Sequence, residues 1–198
     1  MNLHWLTRNP LYPLPRSLIF TGEEKLLTKY AAGKKTIVEI GVFEGASARH
    51  IRSAMANDGK LTLIDPFVPD SYNPKLKARK WFAKLWVNTV KNAEVEWLED
   101  YSMTVSAKWV NPIEFLFIDG DHNYEACLKD WNEWSKHIAP GGVVMFHDAR
   151  LGLSNGQFWD GCEGPTRVVN ELFRSGKLSS QWEIIEEKIT AVVVRRKL

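Results

Sequence analysis

The sequence predicts an α/β fold built on a doubly wound, mostly parallel sheet with a C-terminal antiparallel hairpin, and three observations carry that expectation. Short apolar runs alternate with amphipathic helical patterns along the chain. Two of these runs, Phe115 to Ile118 and Val143 to Phe146, flank a stretch whose apolar positions Tyr124, Cys127, Leu128, Trp131, Trp134 and Ile138 keep a helical period. Strand, helix, strand in that order implies parallel strands joined by a right-handed crossover, with both strand ends at one sheet edge. The last two runs, Trp182 to Glu187 and Ala191 to Val194, are separated only by Lys188 to Thr190, as a tight antiparallel hairpin requires. The expected sheet therefore has one reversed edge strand.

In chain order, an irregular proline-containing arm (residues 1–20) precedes a short helix, Gly22 to Ala32, with Thr21 as its N-cap. A strand, Thr36 to Ile40, runs into the glycine-bearing turn GVFEG and a helix from about Ala46 to Met55. A second strand, Leu61 to Ile64, stops at Asp65-Pro66, because proline cannot donate to a ladder. Residues 74–92 read as a helix and Val95 to Leu98 as a third strand. After the fifth strand, residues 149–169 form a lid-like insertion with several glycines, the aromatics Phe158 and Trp159, Arg167 and a helix start at Gly164-Pro165-Thr166.

One domain spanning 1–198 is expected, because 198 residues bury an ordinary core and no repeat or low-complexity linker interrupts them. A net charge of +2 with mixed signs gives no general attraction to nucleic acid or an anionic membrane. The basic, aromatic stretch from Lys75 to Trp86 reads as a solvated amphipathic helix. Two cysteines without a CxxC, and a start lacking a continuous apolar core, point to free thiols, no secretory signal and a cytoplasmic setting. The arm, with Trp5 and Tyr12, either covers the far side of the site or contacts a second copy in a homo-oligomer.

Chemistry concentrates at the carboxyl ends of the strands, where open parallel sheets bind ligands. The fourth strand ends in Asp119, Asp121 and His122, and the fifth in His147 and Asp148. Such carboxylates and imidazoles suit a metal or acid/base site. At the first strand, IVEIGVFEGASA carries Gly41 and Gly45 in a turn where glycine lets the backbone pass close to a ligand. A dinucleotide fingerprint would need glycine where Phe43 stands. Glu39, at the strand end, repels a diphosphate but pairs with a cationic amino group. Asp65 is placed to accept both hydroxyls of a ribose.

With ExGxxxG, IDGDH, APGG and FHDA in this order, the chain resembles the class I S-adenosylmethionine-dependent methyltransferases of Rossmann-like fold over nearly its whole length beyond residue 35. The resemblance implies that Glu39, Gly41 and Gly45 cradle the amino-acid part of the cofactor, that Asp65 holds its ribose, and that Asp100 and Ser102 contact its adenine. Within that family, IDGDHxYxxxxxDxxxW followed by PGG and HD is similar to the small O-methyltransferases of sugar and natural-product modification. Some of these bind magnesium, and the resemblance maps metal ligands onto Asp119 and Asp148. His147 stands where metal-dependent relatives often carry another carboxylate, so a metal site of Asp119, His147 and Asp148 would favour zinc, iron or nickel over magnesium.

The expected reaction is methyl transfer to the hydroxyl of a small acceptor, with His122 or His147 taking the proton and Asp119 serving both cofactor and catalysis. Asp121 either orients a ligand or serves the Asp-Gly-Asp turn. His147 either acts in the chemistry or hydrogen-bonds within the sheet. No nucleic-acid or membrane partner is expected. Two other readings stay open: a metal-dependent hydroxylase on the same scaffold, and a non-catalytic cofactor- or partner-binding protein.

Overall fold

The computed structural model describes Ile19 and residues 22–68, 77–151 and 161–198, with the side chains of 77–79 left aside. Thr21, Trp5, Tyr12, Phe158 and Trp159 lie outside the described residues, as do most of the arm and the centre of the 149–169 insertion.

The elements run α1 (Glu23–Ala31), β1 (Thr36–Ile40), α2 (Ala46–Ala54), β2 (Lys60–Ile64), α3 (Lys77–Val87), β3 (Glu94–Leu98), α4 (Ser102–Ser106), β4 (Ile113–Ile118), α5 (Tyr124–Trp134), β5 (Ile138–Phe146), α6 (Glu163–Val169), β6 (Trp182–Lys188) and β7 (Ala191–Arg196). One seven-stranded sheet takes the order β3-β2-β1-β4-β5-β7-β6. The pairs among β1 to β5 are parallel, and β7 is antiparallel to both β5 and β6. The reversed strand is thus internal rather than at the edge. Ala191 to Val194 are buried on both faces, whereas β6 carries Glu183, Glu186 and Glu187, and the strand that tolerates solvent takes the edge.

Period-two alternation assigns the faces. Ile37, Leu61, Leu63, Phe115, Phe117, Val143 and Met145 pack with Leu26, Leu27, Ala48, Ile51, Ala83 and Val87 of α1, α2 and α3. Val38, Ile40, Leu116, Ile118, Val144 and Phe146 pack on the other face with Trp131 and Trp134 of α5 and Val168 and Val169 of α6.

Three boundaries differ from the sequence expectation. The helix expected over 74–92 ends at Val87, where the buried Arg52 guanidinium on α2 takes the carbonyls of Val87, Asn92 and Ala93 and the Asn88 side chain. The crossover helix ends at Trp134, passes through a 3-10 turn, and gives Ile138 to a longer β5. The LEDYS turn opens into the short helix α4. Among the described residues no helix is long and apolar enough to cross a membrane.

Candidate active site

The register aligns the strand ends. Ile40 pairs with both Ile64 and Ile118, and Ile118 pairs with Phe146, so Gly41, Asp65, Asp119 and His147 occupy the next position of four neighbouring strands. The ladder extends through them, with Gly41 N–H donating to Ile64 O (2.9 Å), Asp119 N–H to Ile40 O (2.9 Å) and His147 N–H to Ile118 O (3.1 Å). β1 separates the two directions of winding, which is the switch point where such sheets bind ligands.

On the β1 and β2 side, Glu39 is fully buried. One of its oxygens accepts the Ser47 hydroxyl of α2, and Oε2 has no partner. Burial pushes its carboxyl well above the ordinary value, aided by Asp119 and Asp65. Asp65 Oδ2 accepts the N–H groups of Val42 (2.9 Å) and Phe43 (3.0 Å), and Oδ1 accepts that of Phe67 (2.7 Å). It therefore shapes the β1–α2 turn as well as facing the ligand edge. Phe43, Phe67 and Asp148, two or three residues beyond the ends of β1, β2 and β5, hold positive φ of 51°, 47° and 49°, a backbone state uncommon outside glycine that clusters at functional sites. Gly41 and Gly45 are both left-handed (φ 84° and 81°), and each lies against the protein's own backbone: Gly41 against Asp119 O, and Gly45 against Ala83 of α3.

Asp100 accepts the N–H of Tyr101 (2.7 Å), and the Ser102 hydroxyl is taken by Asp130 of α5. Asp130 is buried, and that burial pushes its carboxyl up to about 6. A folded-state value above the unfolded one makes the folded protein hold this proton longer, so the penalty is absent below about pH 4, grows to about pH 6 and is constant above. Asp130→Asn is expected to match the wild type at pH 4 and to exceed its stability by about 2–3 kcal/mol at pH 7, measured by urea unfolding at both values.

On the β4 and β5 side, Asp119 and His147 share the parity of Phe117 and Met145 and so face α1. His147 is 2% exposed. Its Nδ1 lies 3.0 Å from Asp119 Oδ1 and 3.6 Å from Asp148 Oδ2, and its Nε2 lies 3.1 Å from Glu23 Oε2. Burial alone would lower the imidazole pKa, but Asp119, Glu23 and Asp148 carry it well above the ordinary value. Glu23, fully buried at the start of α1, accepts Thr190 N–H (2.9 Å), Thr190 Oγ1–H (2.9 Å) and Ala191 N–H (3.1 Å) through Oε1. The Asp119 carboxyl is raised by burial, yet His147 and His122 outweigh that and hold it below its ordinary value.

His122 is 39% exposed, and Asp119 beside it holds its imidazole above the ordinary value. Its Nε2 stands 3.5 Å from Asp119 Oδ1 and 3.8 Å from Asp148 Oδ2. It lines a cavity of about 650 Å³ together with Asp121, Asn123, Tyr124, Cys162 and Arg167. The lining stops at Gly120 and does not reach Glu39 or Asp65. Asp121 Oδ1 accepts both the backbone N–H and the side-chain amide of Asn123, which is the turn role. Asp148 is buried, and its Oδ1 has no hydrogen-bond partner.

The structure thus brings Asp119, His122, His147 and Asp148 together, and places Glu39 and Asp65 on the neighbouring strands. Asp100 and Ser102 engage residues of their own side of the sheet. Glu23 escaped the sequence reading. Its signal is an acid on the apolar stripe of a helix, in line with Leu26, Leu27 and Ala31, which has to find a buried partner. On the basic stretch, Lys80 pairs with Glu99 and Lys84 lies over the Trp97 ring, while Trp81 and Leu85 stay exposed.

A family profile for the methyltransferase domain matches residues 38–149, more than half of the chain. An uncharacterised protein of Acanthamoeba polyphaga mimivirus is 32% identical over 137 residues, which are 63% of this chain and 56% of that protein. The chain thus spans little more than half of that relative. Among solved structures, the O-methyltransferase TomG from Streptomyces achromogenes, involved in tomaymycin synthesis and seen in complex with S-adenosylmethionine, superposes with a TM-score of 0.66 at 19% identity, covering 93% of this chain and 84% of TomG. An rRNA methylase from Streptococcus thermophilus shares the fold at a TM-score of 0.60 and 9% identity, covering 92% and 100%. Such distant likenesses establish the fold and leave the acceptor open.

Proposed function

Since the chain belongs to the methyltransferase-domain family, we propose that it is an S-adenosylmethionine-dependent O-methyltransferase acting on a small hydroxyl-bearing compound such as a sugar or a natural product. The observation that carries this reading is His122, an exposed imidazole set against Asp119 in the wall of the cavity that adjoins the cofactor strand ends.

The residues at the β1 and β2 ends fit the cofactor. Glu39, Asp65 and Asp119 converge, and the groups that hold them are the Ser47 hydroxyl, backbone N–H groups and two histidines rather than lysine or arginine, and Glu39 Oε2 is a buried acceptor lacking a donor. A ligand bearing an ammonium and a sulfonium complements that edge, whereas a diphosphate does not. When bound, the cofactor supplies a methyl group on positively charged sulfur. Asp65 keeps the β1–α2 turn in place and offers its remaining lone pairs to ribose hydroxyls. His122 accepts the hydroxyl proton of the acceptor as its oxygen bonds to the methyl carbon, and Asp119 stabilises the imidazolium so formed. The cavity holds the oxygen in line, and that positioning carries much of the acceleration. His147, buried and with both ring nitrogens against carboxylates, is suited to holding Asp119 rather than to taking the proton.

Magnesium does not fit the donors present. Imidazole nitrogen of His147 and His122 and the Cys162 thiol crowd the two carboxylates, while a hard ion wants an oxygen shell, so no step is assigned to it. The proposal is tested by calorimetric titration with S-adenosylhomocysteine. Wild type should bind saturably and Asp65→Ala at least about tenfold more weakly. Methyl transfer should then appear with small hydroxyl compounds and not with RNA or amines. A folded wild type that fails to bind would sink the reading.

A further inference from the structure

We infer that the outward face of α3, with Trp81 and Leu85 at its crest and cationic side chains beside them, is a docking surface for a membrane that carries anionic lipid. That surface lies outside the candidate active site and stands whether or not the chain transfers methyl groups.

A surface helix ordinarily turns its apolar stripe to the core and its polar residues to water. α3 sends apolar residues both ways. Ala83 and Val87 are fully buried in the core beneath the helix, whereas Trp81 and Leu85 are 59% and 51% exposed. Four positions apart, those two side chains are neighbours on the helix surface. The Trp81 ring meets the half-buried Phe82 edge to face, with ring centroids 5.1 Å apart. A helix that is only solvated would carry polar side chains at that crest, and exposed apolar patches of this kind mark contact surfaces.

Charge selects the occupant. The sequence of α3 includes Lys77, Arg79, Lys80 and Lys84 and no acid. Lys80 pairs with Glu99, while Lys84 lies over the Trp97 ring and Arg49 of the adjoining α2 over the Trp86 ring. Aromatic faces rather than carboxylates thus hold Lys84 and Arg49, and their charge stays available to an outside anion. Glu94 and Glu96 of β3 share the parity of Leu98 and pair with Lys60 on the far face of the sheet. The net charge of +2 hides this local excess. Tryptophan and leucine at the crest, beside lysine stems long enough to reach a headgroup, are the chemistry of a helix lying in the lipid interface. A second copy fits worse, because a two-fold interface would set the cations of α3 against the same cations. RNA fits worse too, because Leu85 offers no donor to a phosphate and no ring to a base.

The test sediments the full chain with vesicles of phosphatidylcholine, either alone or with about 30% phosphatidylserine, and reads the bound fraction against lipid concentration. Partitioning should be at least about tenfold stronger with phosphatidylserine, and should fall at least about fivefold as salt rises from about 50 to about 500 mM. Trp81→Ala combined with Leu85→Ala should weaken binding by about tenfold or more, and Lys84→Glu by about fivefold or more. These changes leave the buried stripe of α3 intact, and circular dichroism checks that the variants fold. Single-stranded RNA of about 20 nucleotides, and sedimentation velocity of the protein alone, run beside the vesicles. No binding to either vesicle, equal binding to both, or binding that survives the double substitution and Lys84→Glu would overturn the inference. So would RNA binding, or a concentration-dependent dimer, that the double substitution removes while the vesicles stay unbound.

Discussion

Gly41→Ala is expected to be among the most destabilising single substitutions in the protein, lowering the unfolding free energy by about 2–5 kcal/mol. Two costs add. The position has a φ of 84°, and an L-residue with a side chain pays about 1–2 kcal/mol there. A Cβ would also lie 2.0 Å from Asp119 O and 2.5 Å from its carbonyl carbon. Those are backbone atoms of the adjoining strand and cannot swing aside, so β1 and β4 would have to part at the end that carries the site, for about 1–3 kcal/mol more. Urea unfolding measures the loss. Gly45→Ala meets a side-chain methyl of Val87 at 3.0 Å and Ala83 at 3.1 Å, contacts that yield more readily, and should cost less. A Gly41→Ala protein with wild-type stability that had lost only cofactor affinity would show that glycine is needed there for the ligand rather than for closing the sheet.

Gly41 also marks how far the sequence could be read. The turn, its two glycines and the strands on either side follow from local pattern, because strand ends, turns and helix starts leave signals within a few residues. What the glycine meets is Asp119, 78 positions away by number, and only the register of β1 against β4 puts them side by side. The same limit explains the hairpin. Its two strands are local, but which of them docks on β5 depends on a burial difference between Ala191–Val194 and the glutamates of β6. At the site, Asp119, His122, His147 and Asp148 were legible as strand-end residues, and alternation already puts Asp119 and His147 on one face. Their partner Glu23 was not, since an acid at a helix start reads as favourable charge near a dipole until the helix is seen to lay that acid against β5 and the β6–β7 turn. Asp130 is a milder instance: its position in the crossover helix was clear, and its burial against Ser102 was not.

His122→Gln is expected to reduce methyl transfer by about 10²–10⁴-fold, the range for loss of a positioned acid or base, while leaving cofactor affinity within about twofold. His122 and His147 both lie beside Asp119, and their surroundings separate them. His147 is 2% exposed with both nitrogens committed to carboxylates, so an acceptor cannot reach it. His122 opens on the cavity, is 39% exposed, and presents Nε2 near two carboxylates, either of which stabilises the charge it gains. Glutamine keeps a similar size and polarity but cannot take up a proton at neutral pH. The fold should therefore tolerate the change. Single-turnover methyl transfer measures the chemical step, and calorimetry with S-adenosylhomocysteine measures cofactor binding. A large rate loss with cofactor affinity intact identifies His122 as the base. A single-turnover rate close to that of the wild type would mean that the acceptor hydroxyl gives its proton to another group, and that the Asp119 carboxylate serves His147 and the cofactor alone.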